Sequence, residues 1–156
     1  QIVLSRDTYL NASPGPTRLD TVILPEQSGS TSGATISESD IVLYAAGATR
    51  RTGNWSFVSD ATAAAGRRIA NPNFGAATIT AALPNPTHYF ELQFTATANR
   101  PYRIWMRGKA TSNNGYNDSV WVQFTNTVSA PGGAAINRIG SASAARYRHA
   151  QPRHVR

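Results

Sequence analysis

The stretch that decides the fold of this chain runs from residue 102 to residue 125. It reads Tyr102-Arg-Ile-Trp-Met-Arg-Gly-Lys-Ala110, then Thr111-Ser-Asn-Asn-Gly-Tyr-Asn-Asp118, then Ser119-Val-Trp-Val-Gln-Phe-Thr125. Side chains in both flanks alternate between two faces, which is the pattern of β-strands. The polar segment between them is rich in turn-forming residues. The stretch therefore predicts an antiparallel hairpin with a long loop.

One face of the predicted hairpin is aliphatic, and the other carries Trp105 and Trp121. Exposed aromatic planes stack against the apolar C–H faces of sugar rings, while amides and arginines bind sugar hydroxyls. In adjacent strands the two indoles would form a platform beside Arg103, Arg107 and Gln123. The alternative, which the sequence leaves open, is that another loop or sheet covers both rings.

The loop of the hairpin offers amides, a carboxylate and an aromatic ring at the end of the sheet, where binding residues are often found. A second ring, Phe74, lies in the turn Asn71-Pro-Asn-Phe-Gly75. The alternative for the loop is ordinary turn chemistry, with Asp118 pairing with Arg107. The candidate ligand contacts are Trp105, Trp121, Tyr116, Asn117, Asp118 and Phe74.

Length and composition limit the classes of protein to which the chain can belong. Its 156 residues provide for one domain, or for one domain and a fragment of another. Turn-forming residues are frequent and no long helical period occurs, so an all-β protein of short strands is predicted. The absence of cysteine excludes disulfides and thiolate metal sites. No apolar run reaches membrane-spanning length, so no membrane partner is expected.

The net charge of +7 is concentrated near the end of the sequence. Four arginines lie between residues 146 and 156, where no acidic residue occurs, and without them the charge falls from +7 to +3. A strongly basic chain suggests nucleic-acid binding, but the charge of the remaining residues is ordinary. Nucleic acid is therefore not the partner that we expect.

Composition divides the chain into four segments. Residues 1–26 are predicted to form a short strand, a turn and a second apolar run, and residues 27–38 a Gly/Ser-rich linker. The main β-sandwich is predicted at residues 39–143. Residues 144–156 are a basic tail that is predicted to be disordered. Residues 60–66 form either a helical turn or a loop. Trp55 is expected in the core, because it shares a strand face with Phe57. Strands are predicted at 1–5, 40–44, 53–58, 68–70, 77–79, 88–96, 102–110, 119–125 and 136–139.

Two groups of residues resemble a known family. Gly53-x-Trp55 followed by Asp60-Ala-x-Ala63-x-x-Gly66 is similar to the opening segment of jelly-roll modules with the galactose-binding-like fold. Tyr102-Arg-Ile-Trp-Met-Arg107 and Asn117-Asp-Ser-Val-Trp-Val-Gln123 are similar to later strands of the same modules. The likeness, to carbohydrate-binding modules of families 6 and 35, covers roughly residues 40 to 125 and rests on motif order and spacing. It implies a jelly-roll β-sandwich that is incomplete at its C-terminal strand.

The chain departs from this family in three places. The usual last strand is missing after Thr125, whereas a strand of that type occurs at Gln1–Ser5. Residues 1–26 are therefore interpreted as the end of a preceding tandem module, and we expect Gln1–Ser5 to fill the open edge of the main module's sheet. The tail is foreign to the family. The family usually has an acidic residue near its first strand that helps to hold a structural calcium. Near Leu43-Tyr-Ala-Ala46 this residue has no clear match, since only Glu38 and Asp40 are nearby. No cofactor is therefore predicted, and a structural calcium is the alternative.

The resemblance implies a non-catalytic carbohydrate-binding module of a secreted, multi-domain bacterial protein, with a polysaccharide or other glycan as partner. An enzyme is not predicted, because His88, His149 and His154 lack metal-ligand spacing and no nucleophile or phosphate-loop motif occurs. The alternative is a structural or adhesive repeat that packs on neighbouring modules or self-associates through an open sheet edge. A third hypothesis is polyanion binding by residues 144–156.

Overall fold

The computed structural model of the protein describes residues 1–6, 21–26, 40–72 and 75–148. Within these residues the regular structure is all-β, in small antiparallel sheets, as the sequence predicts. Short 3-10 turns interrupt the strands at Ala45–Gly47, Ala64–Gly66 and Thr111–Asn113. The strands are β1 (Ile2–Ser5), β2 (Asp40–Leu43), β3 (Arg50–Arg51), β4 (Ser56–Ser59), β5 (Arg67–Ala70), β6 (Phe90–Glu91), β7 (Arg103–Met106), β8 (Ser119–Val122) and β9 (Ala145–Arg148).

The chain divides into two compact units. The first unit comprises Gln1–Asn71 and His88–Arg107, and the second comprises Pro72–Thr87 and Gly108–Arg156. Strands β1 to β7 belong to the first unit, and β8 and β9 belong to the second.

The first unit is built on a three-stranded sheet in which β1 lies between β2 and β7, antiparallel to both. Leu4 is in register with Ile41 of β2 and Ile104 of β7, so three branched side chains form one row across the sheet. Val3 forms the next row with Val42 and Trp105. Because successive residues of a strand point to opposite faces, these two rows cover both faces of the sheet.

Both faces of this sheet are buried at β1 and β2. Val3 and Leu4 are each 4% exposed, and Val42 is 2% exposed. Near-continuous apolar runs such as Ile2–Leu4 and Ile41–Leu43 are typical of strands covered on both sides. Burying each of these side chains contributes about 1.5–3 kcal/mol, which makes this sheet the main source of hydrophobic stabilisation among the described residues.

Two short ribbons complete the first unit. Strand β3 pairs with β6, and β4 pairs with β5, in both cases antiparallel. The ring of Trp55, which precedes β4, meets the ring of Phe90 in β6 edge to face, with centroids 5.0 Å apart. This contact joins the two ribbons. Trp55 is half-buried there and is not one of the buried core residues, contrary to the prediction from the sequence.

The second unit is held largely by side chains that bond to backbone carbonyls. Strand β8 pairs antiparallel with β9, with Trp121 opposite Arg146. Gln123 donates to the carbonyls of Ser141 and Ser143, at 2.7 and 3.1 Å. The guanidinium of Arg138 donates to the carbonyls of Thr125 and Thr127. These contacts fix the loop between β8 and β9, where the strand pattern of the sequence is weak.

The hairpin predicted for residues 102–125 is wrong. Strand β7 pairs with β1, and β8 pairs with β9, so the two flanks of the stretch are not partners. Alternation specifies the faces of a strand but not its neighbour, which explains why two correctly located strands were assigned to each other.

The prediction that Gln1–Ser5 joins the main module's sheet is confirmed, but its position there is central and not at an edge. Strands predicted at 40–44, 53–58 and 68–70 are confirmed with shorter or shifted ends. Over residues 60–66 the only helical turn is at Ala64–Gly66, while Asp60 accepts hydrogen bonds from the backbone and hydroxyl of Thr62.

Three strand predictions were too generous. The long strand expected at 88–96 is reduced to Phe90–Glu91, and residues 77–79 form no strand. Of residues 136–139, only Arg138 forms a single isolated bridge, with Phe124. Apolar residues alternate at 88–96 and 77–79 but not at 136–139, and in none of these segments does a neighbouring strand supply a continuous hydrogen-bonded partner.

The disordered tail predicted from residue 144 is wrong for Ala145–Arg148, which form β9. Here Ala145 and Tyr147 alternate with Arg146 and Arg148 over four residues, a run too short to be recognised as a strand. The Gly/Ser linker at 27–38 and residues 149–156 lie outside the described residues, and the assignment of residues 1–26 to a preceding module stays a prediction.

Candidate functional site

The candidate site that the structure retains is the loop between Ala110 and Ser119 in the second unit. A 3-10 turn at Thr111–Asn113 opens it, with Ser112 in the left-handed region at φ 54°. The backbone amide of Asn114 donates to the carbonyl of Thr111 at 3.2 Å, and the amide of Asn117 donates to the carbonyl of Asn114, also at 3.2 Å. Two consecutive turns therefore set the path of the loop.

Side-chain hydrogen bonds hold the tip of this loop. The Oδ1 atom of Asn114 accepts from the backbone amide of Tyr116 at 2.9 Å, which is an Asx turn. The side-chain amide of Asn117 donates to the carbonyl of Thr111 at 3.4 Å. Asparagines are frequent in this loop because a short amide side chain can bond to its own backbone, and the result is a defined local conformation.

The loop exposes its aromatic ring and buries its carboxylate. Tyr116 is 82% exposed, the largest value among the exposed large apolar and aromatic side chains of the described chain. Asp118 is only 7% exposed, and a Cβ atom added at Gly115 would lie 4.0 Å from its Oδ2 atom. The carboxylate therefore faces the protein, while the phenol ring faces solvent. Asn117 is half-buried between them.

Trp121 lies in β8, three residues beyond this loop. Its indole Nε1 donates to the carbonyl of Ile79 at 3.2 Å, and the Arg146 guanidinium lies over its ring, 5.3 Å from the centroid. Arg146 also donates to the hydroxyl of Ser119 at 3.3 Å. Trp121 is therefore a half-buried residue with a fixed ring plane and a cation stacked upon it.

Trp105 lies elsewhere. It occupies β7 of the first unit, in the row of Val3 and Val42, and its indole Nε1 is buried. The prediction that Trp105 and Trp121 lie on adjacent paired strands is wrong, because β7 pairs with β1 and β8 pairs with β9. Phe74 lies outside the described residues. Of the six candidate contacts, Tyr116, Asn117 and Asp118 lie in the loop of the second unit, and Trp121 lies on β8 of the same unit.

Arg146 is the residue near this site that the sequence did not indicate. It falls in the segment expected to be disordered, so no partner was assigned to it. The available signal was the run Ala145-Arg-Tyr-Arg148, whose alternation matches that of Ser119–Val122. Antiparallel pairing of these two runs puts Arg146 opposite Trp121 and Tyr147 opposite Val120.

Among the described residues of this unit, the Tyr147 hydroxyl has a shifted pKa. Partial burial in β9 raises the pKa of the Tyr147 hydroxyl above its usual range, which keeps this side chain neutral. Within the described residues no three His, Asp or Glu side chains gather in a way that would hold a metal ion. The arrangement is suited to contact through rings, amides and guanidiniums.

Comparisons with known proteins place no further constraint on the site. No family model, no curated protein and no solved structure matches this chain. Among the described residues, no helix has both the length and the hydrophobicity needed to cross a membrane.

Proposed function

We propose that this chain is a non-catalytic carbohydrate-binding module of a secreted, multi-domain bacterial protein, with the jelly-roll sandwich that its motifs resemble. The observation that carries the proposal is the ring of Tyr116, which is 82% exposed on a loop fixed by four hydrogen bonds. The exposed phenol ring has a free face, and stacking on the apolar face of a sugar ring fits its chemistry.

The neighbouring groups supply the polar part of such a site. Asn117 can offer its amide to sugar hydroxyls, while the carboxylate of Asp118 is buried in the same loop. Trp121 and Arg146 lie on the strands that follow, and the guanidinium adds hydrogen-bond donors to the surface. Because the loop is already fixed, little conformational entropy is lost when a ligand binds.

Affinity gel electrophoresis tests the proposal directly. The protein is run through native gels that contain neutral plant or microbial polysaccharides, one at a time. We expect retardation on at least one of them, and we expect Tyr116→Ala to weaken that binding about five- to tenfold, because one stacked ring is worth about 1 kcal/mol. Tyr116→Phe keeps the ring and is the matched variant, so it should retain most of the affinity.

A second control is Leu83→Ala, which removes an exposed apolar side chain of the same unit away from the loop. It should bind like the unaltered protein. Absence of retardation on every polysaccharide, or equal retardation of Tyr116→Ala and the parent protein, would contradict the proposal.

The alternative function, a structural or adhesive repeat, has its own supporting observation. Several large apolar side chains of the second unit are exposed, among them Ile79 at 49% and Ile139 at 58%. Surfaces of this kind are covered when a protein packs against a second copy or a neighbouring module. Concentration-dependent association in sedimentation, lost in Ile139→Asp and kept in Tyr116→Ala, would favour this function over sugar binding.

A further inference from the structure

Two arginines of the first unit are stacked on one phenylalanine. The guanidinium carbon of Arg51 in β3 lies 4.5 Å from the centroid of Phe57, and that of Arg67 in β5 lies 4.4 Å from the same centroid. The two guanidinium carbons are therefore at most about 9 Å apart, the sum of these distances. Arg51, Phe57 and Arg67 are hereafter called the arginine clamp.

The strand pairings explain how the clamp is assembled. Phe57 is in β4, whose partner is β5, and Arg67 lies at the start of β5 opposite Ser59. Arg51 comes from the other ribbon, where it is opposite Phe90. The Nη2 atom of Arg67 donates to the carbonyl of Ala46 at 2.8 Å, which fixes the position of its guanidinium.

The positive charges of the clamp are not neutralised within the described residues. The ion pair nearest in sequence is that of Arg68 with Asp60, at 3.2 Å, and it leaves neither Arg51 nor Arg67 with a carboxylate partner. Both clamp arginines are exposed. Like charges held close together repel, and a bound anion that accepts hydrogen bonds from both would relieve that repulsion.

We propose that the arginine clamp binds sulfate or phosphate esters carried by a polysaccharide, an inference that rests on the proposed function and adds an anionic subsite to it. A sulfate or phosphate ester has three free oxygens that point in different directions, so it can accept hydrogen bonds from two separate guanidiniums at once. A planar carboxylate matches the fork of one guanidinium.

The same cluster is poorly suited to single-stranded nucleic acid. Such binding uses open aromatic rings on which bases stack. Here Phe57 carries both clamp guanidiniums, Trp55 packs against Phe90, and Arg50 lies over the ring of Tyr89 at 5.4 Å. Each of these rings already has a guanidinium or another ring as a partner, which favours a polyanion without bases.

Heparin, a heavily sulfated polysaccharide, is the probe for the test. Binding of the full chain is measured by fluorescence titration over a series of salt concentrations. We expect the double variant Arg51→Gln/Arg67→Gln to bind about tenfold more weakly than the parent, with the slope of log affinity against log salt reduced by about two.

The matched control is Arg100→Gln/Lys109→Gln, which removes the same charge from two exposed positions outside the clamp. The inference predicts a smaller loss for this control, about twofold. An equal loss in the two double variants would mean that heparin responds to net charge alone, and the inference would be overturned.

A charge-conserving variant keeps the test decisive if the Gln variant does not fold. Arg51→Lys/Arg67→Lys retains both charges but has no guanidinium fork, so it should bind heparin several-fold more weakly with an unchanged salt slope. Unchanged affinity would overturn the inference. Folding of every variant is checked by far-UV circular dichroism.

Three further probes decide the ligand class. Phosphorylated and sulfated polysaccharides compared side by side identify the ester, and both are expected to bind more tightly than polygalacturonate, which carries only carboxylates. Tighter binding of duplex DNA than of heparin would replace the inference by nucleic-acid binding. Tyr116→Ala tests the neutral-sugar site, and the clamp variants test the anionic site. Failure to bind neutral polysaccharides, with heparin binding that depends on the clamp, would show that the proposed function has failed. Binding of neutral polysaccharides through Tyr116, with heparin binding that does not depend on the clamp, would show that the clamp proposal has failed.

Discussion

The two units of this chain differ in what holds them together. In the first unit the described core includes Val3, Leu4, Ile41, Val42 and Leu43, all at most 5% exposed. In the second unit the buried apolar residues among those described are Ala82 and Ala110, while large side chains such as Ile79, Leu83 and Ile139 are exposed. The first unit is stabilised by packed side chains, whereas the second relies on hydrogen bonds between side chains and backbone.

The difference in core size determines which side chains remain exposed for contact with a partner. A well-packed sheet leaves little apolar surface for a partner. In the first unit, the Trp105 side chain is part of this packing. A unit with a small core leaves rings and apolar side chains available for contact, at the cost of stability. The sugar-binding proposal depends on the second arrangement, and the arginine clamp depends on charged residues at the surface of the first.

The largest expected effect comes from opening the core of the first unit. Leu4→Ala should lower the free energy of unfolding by about 2–5 kcal/mol, because it leaves a cavity in the central strand. Leu83→Ala makes the same chemical change in the second unit at a residue 45% exposed, and should cost less than about 0.5 kcal/mol. Urea unfolding followed by circular dichroism measures both, and similar costs would erase the contrast between the units.

A substitution at Gly133 tests how tightly the second unit is packed. A Cβ atom at Gly133 would lie 2.6 Å from the Ser129 hydroxyl and 3.0 Å from the Ala130 carbonyl. Gly133→Ala should therefore destabilise the protein by about 1–3 kcal/mol if the loop is rigid. Gly108→Ala, where no atom lies within 4 Å, is the control and should be neutral or slightly stabilising. Indistinguishable melting temperatures for these two variants would show that the loop yields easily.

The contact between Arg146 and Trp121 should contribute less. Arg146→Ala removes the cation above the ring and the hydrogen bond to Ser119, with an expected loss of about 0.5–1 kcal/mol. Near-UV circular dichroism reports the change around Trp121. Lys109→Ala removes an exposed charge from the same unit, and it should leave both stability and the tryptophan signal unaltered. An unchanged near-UV signal in Arg146→Ala would contradict the contact between Arg146 and Trp121.

The smallest effect is a pH dependence in β9. Burial raises the pKa of Tyr147 in the folded protein, so in alkaline solution the unfolded chain ionises first, near its ordinary value of about 10. Stability should therefore fall as the pH rises past about 10, and Tyr147→Phe should lessen the fall. Thermal midpoints from pH 8 to 11 measure it. Tyr116→Phe, altered at an exposed ring, should keep the full decline, and identical profiles for the two variants would refute the assignment.

Much of the strand content could be predicted from the sequence, because alternation is a local property. The apolar runs at 1–5 and 40–44 were located well, and the prediction that Gln1–Ser5 joins the main sheet came from the last strand that the resemblance leaves missing after Thr125. Pairing was not predictable in the same way. Whether β7 lies beside β8 or beside β1 is decided by packing between residues that are distant in sequence, and no local pattern carries that information.

The candidate site was predictable in its location and not in its geometry. Turn-forming residues mark the loop before Ser119, but its composition does not say that Tyr116 points outward while Asp118 is buried. That outcome depends on two hydrogen bonds: the Asn114 side-chain oxygen accepts from the Tyr116 backbone amide, and the Asn117 side-chain amide donates to the Thr111 carbonyl. The arginine clamp was missed for a related reason: its members lie on three strands of two ribbons, although the pairs Arg50-Arg51 and Arg67-Arg68 stand on either side of Phe57 in sequence.

The central place of β1 has a consequence for how the protein folds. During synthesis β1 leaves the ribosome before β2 and β7. The second edge of β1 can be paired only after Met106, the partner of Ile2 in β7, has been made. Contacts between such distant residues close slowly, because a long loop has to be ordered before they form. Until that moment one edge of an apolar strand stays unpaired and open to other nascent chains, which favours association through that edge.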